Sequence, residues 1–303
     1  MANRWWIYQR ERFPLAVFVP LAIVVAVSAL AHSALLRGMQ FLPGALTTAA
    51  AATSAFLLYL QMRVLDEFKD FEDDRRFRPY RAVPRGLVTR GELAWIASAG
   101  AVVQLAMALL TDVRLVGLLA VVWGYLALMT AEFFASSWLK ARPFLYMISH
   151  LVVGALITVY LSAFDWLPEN AVPRPDLLAL AAGSYCAGAL LEIGRKIRAP
   201  GDEEHGVVTY SAVWGRDTAV YAWFAVFLLT GGVGWIAASN VGFAIPCLVI
   251  FMLLAALASG CCWAFMRTPV TVRAQAIEKL SGVATLAFYL VLGPMPLAVS
   301  LLR

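Results

Sequence analysis

Charge is what this 303-residue sequence has least of. Asp, Glu, Lys and Arg make up 14% of it, against about 25% in soluble domains, too few to coat a globule in water. That excludes ordinary cytosolic enzymes, secreted disulfide scaffolds and disordered tails. Histidine is scarce, with three residues, and the four cysteines, Cys186, Cys247, Cys261 and Cys262, lie in apolar segments without CxxC spacing or neighbouring histidines. Neither a zinc site nor a disulfide framework follows, and the thiols read as small residues of a membrane core. No low-complexity segment or soluble domain interrupts the chain. What is abundant is apolar: 62% hydrophobic residues and a mean hydropathy of +0.77. The class left is an all-α polytopic membrane protein forming one transmembrane domain over residues 1–303.

A bilayer core takes about 20 apolar residues per helix. Nine stretches qualify, at 13–36, 42–62, 93–111, 115–134, 144–164, 177–191, 219–239, 242–266 and 280–302. The sixth is short and is expected to continue past Glu192. The first follows a basic stretch, as a signal peptide would, but is too long for a signal core and is kept as a span. Positive charge fixes the orientation. With the N-terminus inside, all of the 24 Lys and Arg fall on the inner side except Arg37, Arg114, Arg174 and Arg303. The net charge of +5 is thereby explained without a nucleic-acid partner, and the sequence suggests no obligate protein partner. The expected topology has a cytoplasmic N-terminus, an outer C-terminus, and its chemistry in the longer inner loops.

The densest charge follows the second span: Arg63, Asp66, Glu67, Lys69, Asp70, Glu72, Asp73, Asp74, Arg75 and Arg76. Asp66, Asp70 and Asp74 recur every fourth residue, so three carboxylates share a face if the helix continues, with Glu67 at its border. This is the helix C-terminus, where the dipole already places negative charge and neighbouring acids repel. One reading is a solvated acidic end neutralised by Arg63, Lys69, Arg75 and Arg76. The other is a hard cation such as Mg²⁺, held by one or two carboxylates plus substrate phosphates. Arg78-Pro-Tyr-Arg81-Ala-Val-Pro84-Arg85-Gly86 comes next. Its prolines and glycine make a defined turn, and its arginines present forked donors suited to phosphate. Acids for metal beside arginines for phosphate point to a diphosphate site.

A D-D/E-xx-D-xxx-D block ending the second membrane helix, then RP-x-R-xx-P-x-G, resembles the UbiA superfamily of intramembrane prenyltransferases. The family's first motif reads NDxxDxxxD, so Asp66 stands at the Asn, Glu67 at the first Asp, and Asp70 and Asp74 match directly. The resemblance implies a helical bundle around a cavity open to the cytoplasmic side. It also implies that Asp66, Glu67, Asp70 and Asp74 bind Mg²⁺, and that Arg63, Lys69, Arg78 and Arg81 bind the diphosphate of an isoprenoid donor. The family's second motif, DxxxD before a T-L-P-x-x-x-G-like segment, is altered. Aligned on Thr209 to Gly215, its later aspartate is Asp202, and its earlier one is Arg198. In one reading Glu192 and Asp202 hold a second Mg²⁺ while Arg195, Lys196 and Arg198 hold diphosphate. In the other these cations are positive-inside anchors, and Glu203, Glu204 and His205 solvate the loop.

Glu132 and His150 are ionisable residues within spans, and such groups are functional candidates by default. Glu132 is also placed to pair with Lys140 or Arg142. Tyr146, His150 and Gly154 share a face, and Trp123, Tyr125, Tyr160 and Tyr185 are candidates to line a carbocation pocket. The expected reaction is ionisation of an allylic or polyprenyl diphosphate. An acceptor, small and hydrophobic or aromatic, attacks the cation, and His150 or a loop carboxylate takes the proton. A membrane terpene cyclase is the alternative within the same chemistry, and an ion-coupled transporter the alternative outside it.

Overall fold

The computed structural model describes residues 3–302, which form helices and turns with no strand. The chain groups into two compact units. The first runs up to Leu30 and includes Leu42–Tyr146 and Val159–Pro173; the second includes Ala31–Phe41, Met147–Thr158 and the chain from Arg174 on. Arg303, one of the four cations expected outside, lies beyond the described residues.

Helices in the first half are α1 (Arg4–Arg12), α2 (Leu15–Leu36), α3 (Ala45–Lys69), α4 (Phe71–Phe77), α5 (Arg90–Thr111), α6 (Arg114–Thr130), α7 (Ser136–Lys140) and α8 (Pro143–Trp166). The second half adds α9 (Leu177–Arg195), α10 (Tyr210–Val213), α11 (Arg216–Asn240), α12 (Ala244–Arg267), α13 (Thr271–Leu292) and α14 (Pro294–Leu301). Among the described residues eight segments are long and apolar enough to cross a membrane, counting Thr271–Leu301 as one. Their apolar side chains stay outward-facing where lipid would lie: Ile245, Leu248, Val249, Met252, Leu253 and Leu257 of α12 are all exposed. A helix apolar on every face belongs in a bilayer.

Several boundaries differ from the hydropathy reading. The fourth span ends at Thr130, not 134, leaving a 17-residue helix. At 1.5 Å per residue it is about 25 Å long, short of the roughly 30 Å core. It stops because Glu132, Phe133 and Phe134 all turn left-handed, with φ of 47°, 52° and 57°. The second span does not end at 62 but runs to Lys69, because Leu, Glu and Lys favour helix as much as the apolar residues before them. The last span begins at Thr271 and breaks at Gly293, where Pro294 starts a new helix; proline has no N–H to continue the old one. The sixth does continue past Glu192, to Arg195. The N-terminal helix α1, capped by Asn3 Oδ1 on Trp5 N at 3.0 Å, was not expected.

Helix pairs are joined by small and polar residues, as apolar side chains alone give little preference over lipid. In the first unit Gln61 of α3 donates to Gln104 Oε1 of α5 at 2.8 Å, and Gln104 donates to Ser54 O at 3.1 Å. A Thr89–Glu92 capping box starts α5. In the second unit Trp223 Nε1 of α11 donates to Ser281 Oγ of α13 at 2.8 Å, and Gly194 of α9 lets that pair approach: a Cβ there would lie 2.1 Å from Ser281 Oγ. Gly194→Ala is therefore expected to cost about 1–3 kcal/mol of overpacking. A lowered unfolding temperature in detergent would show it, and an unchanged one would contradict this packing.

Candidate functional site

The charged end of α3 is built by a break in the helix. Asp70 leaves helical geometry at φ −93°, ψ 6° and serves as C-cap of α3 and N-cap of α4. The row expected of Asp66, Asp70 and Asp74 is thereby divided. The Asp66 side chain is 43% exposed, whereas that of Asp74 is 2% exposed.

Buried carboxylates survive only when paired and hydrogen-bonded, and two of the four are. Glu67 accepts from Arg12 Nε at 2.6 Å, with Arg63 Nη2 at 3.3 Å. Asp74 is gripped by Arg78 Nη2 at 2.6 Å and by Arg81 Nη1 at 2.8 and 3.0 Å, with Arg12 Nη2 at 3.8 Å. Arg78 and Arg81, expected at phosphate, thus hold an acid. The turn that delivers them closes through Arg81 N to Arg78 O and Leu87 N to Ala82 O, at 3.0 and 2.9 Å. It needs Gly86 at φ +76°, a conformation most residues resist. Ala82, Val83 and Val88 of this turn pack with Tyr8, Val64 and Leu93 in one buried cluster. Burial, followed by the charge of Glu67, pushes the Tyr8 phenol up to about 12. Arg85 also reaches back to Glu11 at 2.8 Å.

The other two acids stand differently. Asp66 has looser neighbours, Lys69 Nζ at 3.5 Å and Arg63 Nη1 at 3.9 Å. Asp70 makes no side-chain cap bond. Burial raises its carboxyl above the usual range; Lys69 opposes that rise, and Asp66 and Asp74 add to it. Lys69 lies over the Tyr146 ring at 5.3 Å. Tyr146 OH lies 3.4 Å from Glu132 Oε1, and Glu132 also takes Ser136 Oγ and lies 3.8 Å from Lys140. Lys140 is 3.3 Å from Asp73. Asp66, Lys69 and Thr130 line a crevice of about 30 Å³, room for a water-sized occupant. A far larger apolar groove, about 760 Å³ and lined by Val19, Ile23, Leu42, Thr48 and Phe56, lies toward the opposite end of α3. Eighteen residues separate Thr48 from Asp66, roughly 27 Å along the helix.

Among the described residues no three of His, Cys, Asp or Glu come together as a metal cage. Asp66, which lines the small crevice, and Asp70, one turn on and repelled by it, do fit a Mg²⁺ that completes its shell with phosphate and water.

The second motif lies in the other unit. Glu192 Oε2 is held by both Arg195 Nε, at 2.7 Å, and Arg195 Nη2, and Oε1 by Lys196 Nζ at 2.8 Å. Lys196 also lies 5.3 Å over the Tyr210 ring. Asp202 Oδ1 accepts from Thr271 Oγ1 at 3.0 Å, and Glu203 from Thr209 Oγ1 at 2.6 Å. The Arg198 side chain is exposed while its backbone N donates to Ser211 Oγ at 2.7 Å. His150 sits 3.2 Å from Ser149 Oγ through Nδ1. Of the expected pocket aromatics, Tyr185 donates to Ile148 O at 3.1 Å, Tyr160 lies 3.3 Å from Ser54 Oγ, and Tyr125 packs on Phe133. Two participants escaped the sequence reading. In the sequence Arg12 is only one of the inner-side cations, and Tyr146 is marked only by its shared face with His150.

The model of the UbiA prenyltransferase family matches residues 17–283. The chain belongs to that family. Its members are prenyltransferases that take the prenyl group from a diphosphate donor, and this one is an integral, multi-pass membrane protein. No curated protein matches the chain. Among solved structures, the apo UbiA homolog from Aeropyrum pernix K1 is 16% identical, with a TM-score of 0.69 over 93% of this chain and 98% of its own. A digeranylgeranylglyceryl phosphate synthase is 15% identical, with a TM-score of 0.59 over 96% and 99%. A UbiA homolog from Archaeoglobus fulgidus, bound to DMAPP and Mg²⁺, is 14% identical, with a TM-score of 0.53 over 94% and 98%. At these identities the likeness is one of fold.

Proposed function

We propose that this UbiA-family chain is a Mg²⁺-dependent enzyme that moves an isoprenoid group from an allylic or polyprenyl diphosphate to a small hydrophobic acceptor of aromatic type, as quinone and pigment biosynthesis require. The observation that carries the site is the end of α3, where Asp66 and Lys69 line a small crevice and Asp66 and Asp70 repel each other. Asp66 and Asp70 would hold the Mg²⁺, which would supply charge stabilisation for the departing diphosphate. Lys69 offers a further ammonium donor to the phosphate oxygens, aligned by Asp66 and the Tyr146 ring. Glu67 and Asp74 act one step back: through Arg12, Arg63, Arg78 and Arg81 they fix the helix break that sets Asp70 in place. The surrounding apolar helices keep water from the allylic cation. The N-terminus and this charged end lie on the cytoplasmic side and the C-terminus outside, by the distribution of Lys and Arg.

Purified protein in detergent, given a labelled allylic diphosphate and Mg²⁺, tests the reading by its products. The expected result is a prenylated product on adding hydrophobic aromatic acceptors and little turnover without them. Hydrocarbon formed equally well without acceptor would contradict the transferase and make the protein a cyclase.

A further inference from the structure

The residues at the second motif do not fit a metal. Both oxygens of Glu192 are engaged by cations one turn further along the same segment, Arg195 and Lys196. A divalent ion would have to displace two ion pairs to reach that carboxylate. Asp202 is ten residues on, past the buried Ile197 and Ala199, and is bonded by Thr271. Between them the family's earlier aspartate position holds Arg198, exposed and positive. No third carboxylate, histidine or cysteine joins them in a metal-holding group among the described residues.

We infer that this chain takes no metal at its second motif, and that the positive charge placed there is built in as Arg195, Lys196 and Arg198, so that its diphosphate chemistry uses one divalent ion per chain. The inference rests on the reading of Asp66 and Asp70 as the metal site. Glu192 is then the anchor that holds Arg195 and Lys196 at the end of α9. Arginine and lysine supply charge to a phosphate without the dehydration that Mg²⁺ demands of its site, so the substitution leaves electrostatic assistance in place while removing a metal requirement.

Manganese counting tests this without turnover. Full-length protein in detergent is equilibrated with Mn²⁺ and inorganic pyrophosphate, and the manganese retained per chain is measured after ultrafiltration, corrected for a protein-free control. One ion per chain is expected for wild type, Glu192→Gln and Asp202→Asn, and none for Asp70→Asn. Arg198→Asp, which removes a cation and restores an acid at the family position, is expected to raise the count above one. Two ions in wild type, with one lost in Glu192→Gln or Asp202→Asn, would overturn the inference. No manganese in wild type would instead contradict the first-motif reading on which it rests.

Discussion

Asp70→Asn is expected to lower pyrophosphate release about 10²- to 10³-fold, the scale on which loss of one preorganised electrostatic group acts, while leaving the unfolding temperature nearly unchanged. The two halves of that expectation come from one geometry. Asp70 caps neither helix with its side chain, so little of the fold depends on it. Its carboxyl is raised by burial, with Lys69 opposing and Asp66 and Asp74 adding to the rise, so the folded chain without a cation holds that proton more tightly than the unfolded chain does. The sign follows: in the metal-free protein, ionising Asp70 costs stability as pH rises through its elevated pKa, and a bound Mg²⁺ reverses that preference. At free Mg²⁺ well below saturation, where metal must bind against that preference, activity should therefore fall on the acid side at a higher pH than an ordinary aspartate would give. A pH–rate profile at fixed free Mg²⁺ checks this, and an acid limb at the ordinary aspartate value would contradict it.

Asp74→Ala should do the reverse, damaging the fold first. It would leave Arg78 and Arg81 facing each other, with Arg12 close by, around an empty position. Removing one partner of a buried ion pair costs roughly 3–5 kcal/mol. Thermal unfolding in detergent should register a large drop. Asp74→Ala combined with Arg81→Ala should recover part of it, since the double variant removes one of the stranded charges. Equal losses in the single and double variants would show that Asp74 does not act through Arg81. Glu67 is expected to behave like Asp74, because Arg12 and Arg63 hold it in the same manner.

The contrast between these two variants also marks what the sequence made legible. Apolar runs and the bias of Lys and Arg disclose the membrane spans, because bilayer thickness and charge placement act on composition alone. The Asp66–Asp74 block with the RP-x-R turn discloses the family, because its spacing is unusual. The unequal burial of the four acids is not legible in the sequence. A regular helix would have placed Asp66, Asp70 and Asp74 alike on one face, and the break at Asp70 leaves Asp66 exposed and Asp74 buried. Arg12 reaches Glu67 across 55 residues of sequence, a pairing that no local pattern encodes. The left-handed turn at Glu132–Phe134 carries no glycine to announce it, yet it is what shortens α6 and directs Glu132 toward Tyr146. The altered second motif was visible as letters; that Arg195 and Lys196 close over Glu192 is a matter of rotamers.

The central claim is that the Asp66–Lys69–Asp70 end of α3 receives the diphosphate together with Mg²⁺. Calorimetric binding of a non-hydrolysable allylic thiolodiphosphate to the purified protein tests it most directly, with Mg²⁺ or EDTA present, in wild type and Asp70→Asn. The account predicts binding that requires Mg²⁺, is displaced by inorganic pyrophosphate, and is lost in Asp70→Asn. Equally tight binding in EDTA, or binding untouched by Asp70→Asn in a folded protein, would contradict it.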